Sequence, residues 1–293
     1  MSLASTYALL FLCSAIWGFQ PVLVKDLVHY WSPATIISLR WFGVGFLMLF
    51  YLYFHDRSHF WPWKKDWPVL MFMGLTGIMG NSMLQFTGLR YTMVTNSTLI
   101  TATTPAITAL IACLFVKERL GAKSWLGIVL AFAGVLVIIT QGDVNVLLHL
   151  SFNYGDILCF ISQAAWALYT LASKRLMDHM NIMGLLGWAS VFGSLFTFLF
   201  GFVTGEFQPS ALPTAQFLGF LYMILMGGIA ANLCWNVGVK NAGPSHTAVF
   251  LNVAPIVGML SGHIIYYDPL GLVQIIGAAI IFVGVYLTNH GTK

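Results

Sequence analysis

From Thr6 to Thr288 the chain reads as about ten apolar windows, each near the roughly 20 residues that a helix needs to cross some 30 Å of hydrocarbon. The windows run Thr6 to Val24, Pro33 to Phe54, Pro68 to Leu89, Met93 to Val116 and Ser124 to Thr140. They continue through Gly155 to Ala172, Ile182 to Val203, Thr214 to Val239, Pro244 to Tyr266 and Leu270 to Thr288. Nearly all the charge lies in the gaps, as at His55 to Asp66 and Lys117 to Lys123. With 59% hydrophobic residues, 8% charged residues and a mean hydropathy of +0.84, a water-soluble globular domain is excluded. A membrane barrel would need strands of about 10 residues in strict alternation, a pattern these windows lack. The expected fold is an all-α membrane protein in a lipid bilayer.

The first window is expected to be retained, because no cationic residue precedes it and no small-residue cleavage site follows a shorter core. Cys13, Cys113, Cys159 and Cys234 each stand alone in an apolar window, without metal-ligand or disulfide spacing. They are expected to pack between helices, and no metal or other cofactor is expected.

Cytoplasmic loops retain lysine and arginine, so their distribution orients the chain. With the N-terminus inside, Arg57, Lys64, Lys65, Lys117, Arg119, Lys123, Lys174, Arg175, Lys240 and Lys293 fall on the cytoplasmic side, and only Lys25 and Arg90 on the other. Both termini are expected to be cytoplasmic. The net charge of +4 then reports topology and gives no reason to expect a nucleic-acid partner.

The chain also repeats itself. A shift of 149 lays AIWGFQPVLVK (Ala15 to Lys25) over AAWALYTLASK (Ala164 to Lys174), so that Trp17 meets Trp166 and Lys25 meets Lys174. A shift of 150 pairs Phe42-Gly43 with Phe192-Gly193, Gly77 with Gly227, Pro105 with Pro255, Leu120-Gly121 with Leu270-Gly271, Gly127 with Gly277 and Gly134 with Gly284. Residues 1–141 and 151–293 are thereby expected to form two five-helix repeats. An odd number of spans makes the second copy enter the membrane from the opposite side, and inverted repeats suit alternating access of a small-molecule substrate.

Trp17-Gly18 with Lys25, Arg40 in the second span, Pro105 in the fourth and ERLGAKSWLGIVLAFAGVLVI from Glu118 to Ile138 resemble the EamA family of the drug/metabolite transporter superfamily. The resemblance spans both halves. It implies ten transmembrane helices around a central cavity in the plasma (inner) membrane, and export of small metabolites, amino acids first among them. The second half departs from the pattern at Ala167, at Ser190, which stands opposite Arg40, and at Asp268-Pro269-Leu270-Gly271. Cationic drugs or other metabolites remain open as substrates, and a channel as the alternative to a carrier.

Polar groups at membrane depth are costly unless they face protein or a wet cavity, which singles out the candidate binding residues. Asn81 and Gln85 lie one turn apart in the third span, as do Asn232 and Asn236 in the eighth, where Trp235 takes the place of Gln85. Gln20 follows Trp17 by three residues and Gln163 precedes Trp166 by three, so each tryptophan shares a helix face with an amide. Such a wall suits a zwitterion or a cation, because indole faces attract ammonium groups and amides donate to carboxylates. Interhelical hydrogen bonding and plain packing are the alternative roles for the same residues. Asn96 in the fourth span and, in the ninth, its repeat mate His246 with Asn252 complete the candidate set, a solvated or helix-capping histidine being the alternative role for His246, whereas Thr101, Thr103 and Thr104 are expected to bond back to their own helix.

Pro105 and Pro255 fall near the middle of their spans, where each removes a backbone hydrogen bond, so both are expected to kink the helix and are candidate hinges. Arg40, the one charge clearly inside a span, has two open roles: anchoring a substrate carboxylate, or binding helix-end carbonyls as part of the scaffold. The lack of a basic counterpart in the second half favours the scaffold role. All nine acids lie in loops or at helix ends, which argues against proton coupling through a midplane carboxylate and leaves facilitated export, or coupling through a peripheral group such as His246. No GxSxG, HExxH or midplane acid pair is present to support an enzyme.

Overall fold

A computed structural model describes residues 3–116, 121–143, 145–146, 152–177, 179–242, 250 and 253–291. Among the described residues the secondary structure is helical throughout, with no strand. The first two windows are α1 (Leu3–Leu27) and α2 (Pro33–His55). The third is α3 (Trp67–Tyr91), whose middle, Gly74–Gly80, is π-helical. Then come α4 (Val94–Thr101), α5 (Thr104–Val116), α6 (Ala122–Ile139), α7 (Tyr154–Met177) and α8 (Ile182–Val203). Next is α9, which passes through Thr214–Tyr222, a π-helical stretch Met223–Ala230 and Ala231–Ala242, and last are α10 (Val253–Tyr266) and α11 (Leu272–Gly291). Seven described helices, α1 to α3 and α6 to α9, are long and apolar enough to cross a membrane.

The fourth window departs from a single kinked helix. It breaks at Ala102-Thr103, just before Pro105, which becomes the second residue of α5. Proline lacks an N–H and its ring crowds the carbonyl four residues earlier, here that of Thr101, so the chain restarts its helix instead of bending it. The Thr101 carbonyl that the proline cannot serve is taken by a side chain, Thr104 Oγ1 donating to it at 2.5 Å, while Thr103 Oγ1 adds a bond of 2.7 Å to Ile100 O beside that from Thr103 N. Pro255 lies two residues after Val253, the first described residue of α10.

α2 shows how a bilayer helix divides its faces. Arg40, Val44, Met48 and Leu52 recur every fourth residue on the buried side, while Phe42, Phe46, Phe50 and Phe54 form an outward ladder, each more than half exposed. In water such a stripe would mark an interface; against lipid tails it needs no cover. The helix starts at Ser32, whose Oγ accepts from Thr35 N at 3.0 Å and donates to Glu206 O at 2.5 Å, with Pro33 at the first position. Ser32→Ala removes both bonds and is expected to cost about 1–2 kcal/mol, read as a lower thermal midpoint of the purified chain in detergent.

Small residues set the closest approaches. α6 runs antiparallel along α11, and a Cβ on Gly284 would lie 2.6 Å from Gly127 O, while one on Gly277 would lie 3.1 Å from Gly134 O. These backbones nearly touch, as helices without an intervening side chain can. Elsewhere α2 packs along α8, α1 against α9 and α10, and α7 against α3, α4 and α5. The resulting centre is enclosed by helices from both ends of the chain.

Candidate functional site

That centre holds a cavity of about 160 Å³. Of the residues singled out by buried polarity and by the tryptophan repeat, Trp17, Gln20, Asn81, Gln85, Gln163, Trp166 and Asn232 line it, together with Pro105 and Pro255. They come from α1, α3, α7 and α9, with the prolines on α5 and α10.

The stretch from Ala15 to Lys25 positions one wall. Gly18 packs directly on the backbone of Ala254 in α10, which draws α1 against that helix. Trp17 Nε1 donates to Gly227 O at 3.0 Å, and the Trp17 ring lies 5.7 Å from that of Trp235. Gln20 Oε1 accepts from Arg40 Nη2 at 2.7 Å. At the end of the helix Lys25 Nζ donates to Leu89 O at 2.7 Å and Thr92 O at 2.5 Å, tying α1 to the last turn of α3. A cation at that terminus meets the negative end of the helix dipole.

The π-helical stretches position the other amides. Closing a helix with i to i+5 bonds strains its carbonyl register, and nearby side chains donate to the groups involved. Asn232 Nδ2 donates to Gly228 O at 2.9 Å and Gly227 O at 3.2 Å, and Arg40 Nε donates to Met223 O at 3.2 Å, where the π-helical stretch of α9 begins. Asn81, just past the corresponding stretch of α3, donates through Nδ2 to Ser162 O at 2.9 Å. Gln163 bridges α7 to α5, its Oε1 2.7 Å from the Thr104 hydroxyl, whose one proton it shares with Thr101 O, and its Nε2 donating to Cys159 O at 2.9 Å. Gln85 Nε2 lies 3.5 Å from Thr101 Oγ1, the weakest of these contacts. Trp166 stacks on Tyr169, ring centres 5.0 Å apart.

The remaining candidates lie elsewhere. Asn96 is buried in a second cleft beside Asp156, donating from Nδ2 to Oδ2 at 3.4 Å, with Lys25 and Gln141 among its neighbours in that cleft. Thr92 Oγ1 donates to the other oxygen of Asp156. Trp235 packs with Cys13, Ile16 and Ala231 behind Trp17 and does not line the cavity. The Asn236 side chain, His246 and Asn252 lie outside the described residues. As expected, the threonines bond back: Thr101 Oγ1 to Ser97 O at 2.8 Å and Thr104 Oγ1 to Thr101 O.

Arg40 and Trp41 also line the cavity, beyond the set singled out for binding. Arg40 is 3% exposed and stands 4.9 Å from the Trp41 ring centre. It was visible as a charge inside a span; its orientation toward the cavity was not.

Comparison with known proteins gives a consistent picture. The family model described as the EamA-like transporter family matches residues 4–140 and again 153–290. The uncharacterized transporter YyaM of Bacillus subtilis (strain 168) is 30% identical over 97% of this chain and 93% of its own length. A probable amino-acid metabolite efflux pump of Salmonella typhimurium is 24% identical over 95% of this chain and 92% of its own. A crystal structure at 18% identity shares the fold, with a TM-score of 0.65 over 98% of this chain and 96% of that one.

Proposed function

This chain belongs to the EamA-like transporter family, and from that premise we propose that it is a plasma-membrane carrier that exports small metabolites, amino acids first among them, by alternating access. Membership makes it a multi-pass membrane transporter; substrate, direction and mechanism are our reading. The observation that carries this reading is the convergence of two repeat-related tryptophans and amides from four helices on one cavity. Its volume of about 160 Å³ is below the roughly 300–1,000 Å³ of sites for drug-sized ligands, which favours a small metabolite such as an amino acid. Bulky indoles on the walls favour an occluding site over an open pore.

Two inverted five-helix halves, residues 1–141 and 151–293, complete the proposed mechanism. In support, Gly127 and Gly134 are the repeat mates of Gly277 and Gly284, yet Gly127 packs on Gly284 and Gly134 on Gly277. Equivalent residues that exchange partners along antiparallel helices are related by a two-fold axis lying across those helices. The packing of α1 on α9 and α10 is matched by that of α7 on α3, α4 and α5. π-helical stretches recur at Gly74–Gly80 and Met223–Ala230, 149 to 150 residues apart. Rocking one half against the other would expose the cavity to each side in turn, with Pro105 at the start of α5 and Pro255 in α10 as hinges and both termini in the cytoplasm.

Counterflow in proteoliposomes with a panel of radiolabelled amino acids tests this. Saturable exchange that needs no imposed gradient is the expected result. Exchange of a cationic drug but of no amino acid would replace the substrate class, and unsaturable flux would make the chain a channel. Uphill accumulation driven by an imposed pH difference would overturn the uncoupled mechanism.

A further inference from the structure

We propose that Arg40 is the anion anchor of the cavity, that Gln20 Oε1 occupies the anchor while substrate is absent, and that the transported molecule must bring a carboxylate or similar small anionic group. This rests on the carrier reading above and narrows its substrate class.

The case begins with charge. Arginine stays protonated in proteins, and a guanidinium removed from water is costly unless something compensates it. Arg40 is 3% exposed, and among the described residues no carboxylate forms an ion pair with it or lines the cavity. Its compensation is a carbonyl, Met223 O at 3.2 Å, a neutral amide oxygen, Gln20 Oε1 at 2.7 Å, and the Trp41 ring at 4.9 Å. Those two bonds engage two of the five N–H donors of a guanidinium. The cavity wall is thus positive with donors to spare.

The scaffold role alone does not account for this arrangement. A buried charge is ordinarily paired with a countercharge and has its remaining donors hydrogen-bonded. Here the group lines the cavity between α1, α2 and α9, beside Trp17 and Asn232. Gln20 has the shape of a stand-in: its amide oxygen sits where one oxygen of a carboxylate would sit in a charge-assisted bond of 2.7–2.9 Å. A substrate carboxylate that displaces it exchanges a neutral acceptor for a charged one. The exchange also supplies the countercharge that the cavity lacks, so an amine without an acid group gains nothing there.

The test uses the full chain in proteoliposomes and matched unlabelled competitors of amino-acid counterflow, built on leucine and on phenylalanine: the free amino acid, its amide, and the amine lacking the carboxyl group. The amides and amines are expected to need about ten- to a hundredfold higher concentration than the acids. Gln20→Glu places a resident carboxylate on the guanidinium, and is expected to keep the thermal midpoint while collapsing the acid-to-amide ratio toward one. Equal potency of acid and amide in the native chain would overturn the anchor and leave the carrier standing. A strong acid preference that survives Gln20→Glu would mean that the carboxylate is read elsewhere, and would also overturn it. Absence of counterflow by every one of these compounds would overturn the anchor together with the amino-acid substrate class, and absence with the cationic drug as well would sink the carrier reading.

Discussion

In Trp17→Ala the substrate concentration that half-saturates counterflow is expected to rise by roughly thirtyfold, equivalent to about 2 kcal/mol, with the chain still folded. The indole serves two sides of one wall. Its face lines the cavity, and its Nε1 donates to Gly227 O at 3.0 Å beside the Gln20–Arg40 pair. Truncation removes the apolar surface, leaves that carbonyl without its donor and lets the Trp235 ring, 5.7 Å away, settle into the space. Trp17→Phe keeps the aromatic face and loses only the hydrogen bond, so its shift should be several-fold, in line with about 1 kcal/mol. Comparable half-saturation in Trp17→Ala and the native chain, at matched reconstitution, would remove Trp17 from the substrate's surroundings.

Gly284→Leu is expected to lose the monodisperse folded species in detergent altogether, and Gly284→Ala to lower stability by about 1–3 kcal/mol. The neighbours decide this. A Cβ at Gly284 would meet Gly127 O at 2.6 Å and the Ala131 Cα at 2.9 Å, and backbone atoms cannot turn aside as a side chain can. Relief requires α6 and α11 to separate along their length, exposing the Ile138 and Ile281 side chains that are fully buried between them. Size-exclusion profiles and thermal midpoints of the two variants, compared with the native chain, measure the effect. A Gly284→Leu protein with native midpoint would show that the helix pair is looser than its geometry.

Most helices were legible because hydrocarbon enforces a simple rule: a backbone without water must close its own hydrogen bonds over the full thickness. Hence the window Ile182 to Val203 coincides with α8, and Pro33 to Phe54 falls one residue short of α2. The break before Pro105 was legible as a disturbance but misplaced, because the proline acts on a carbonyl four residues upstream of itself. The π-helical stretches left no trace in hydropathy, since a change in hydrogen-bond register alters no side chain. Polarity at depth marked residues that the fold gathers, such as Gln20, Asn81, Gln163 and Asn232. It did not separate them from Asn96, because an amide facing a cavity and one facing Asp156 satisfy the same physical requirement. Arg40 was ambiguous for a related reason: its depth is written in the chain, while its partners belong to α1 and α9.

The π-helical stretches make the orientation of the central amides a matter of counting. Each takes one more residue into a turn than an α-helix does, which rotates everything downstream by about 100° relative to uninterrupted α-helix. Asn81 follows Gly80 directly, and Asn232 lies two residues past Ala230, so both inherit that rotation. Shortening either stretch by a single residue would swing its amides away from the cavity without altering any side chain that lines it. In evolutionary terms, specificity in this chain is open to change by indels as well as by substitution, and two homologues with identical cavity residues can present them to different compass points.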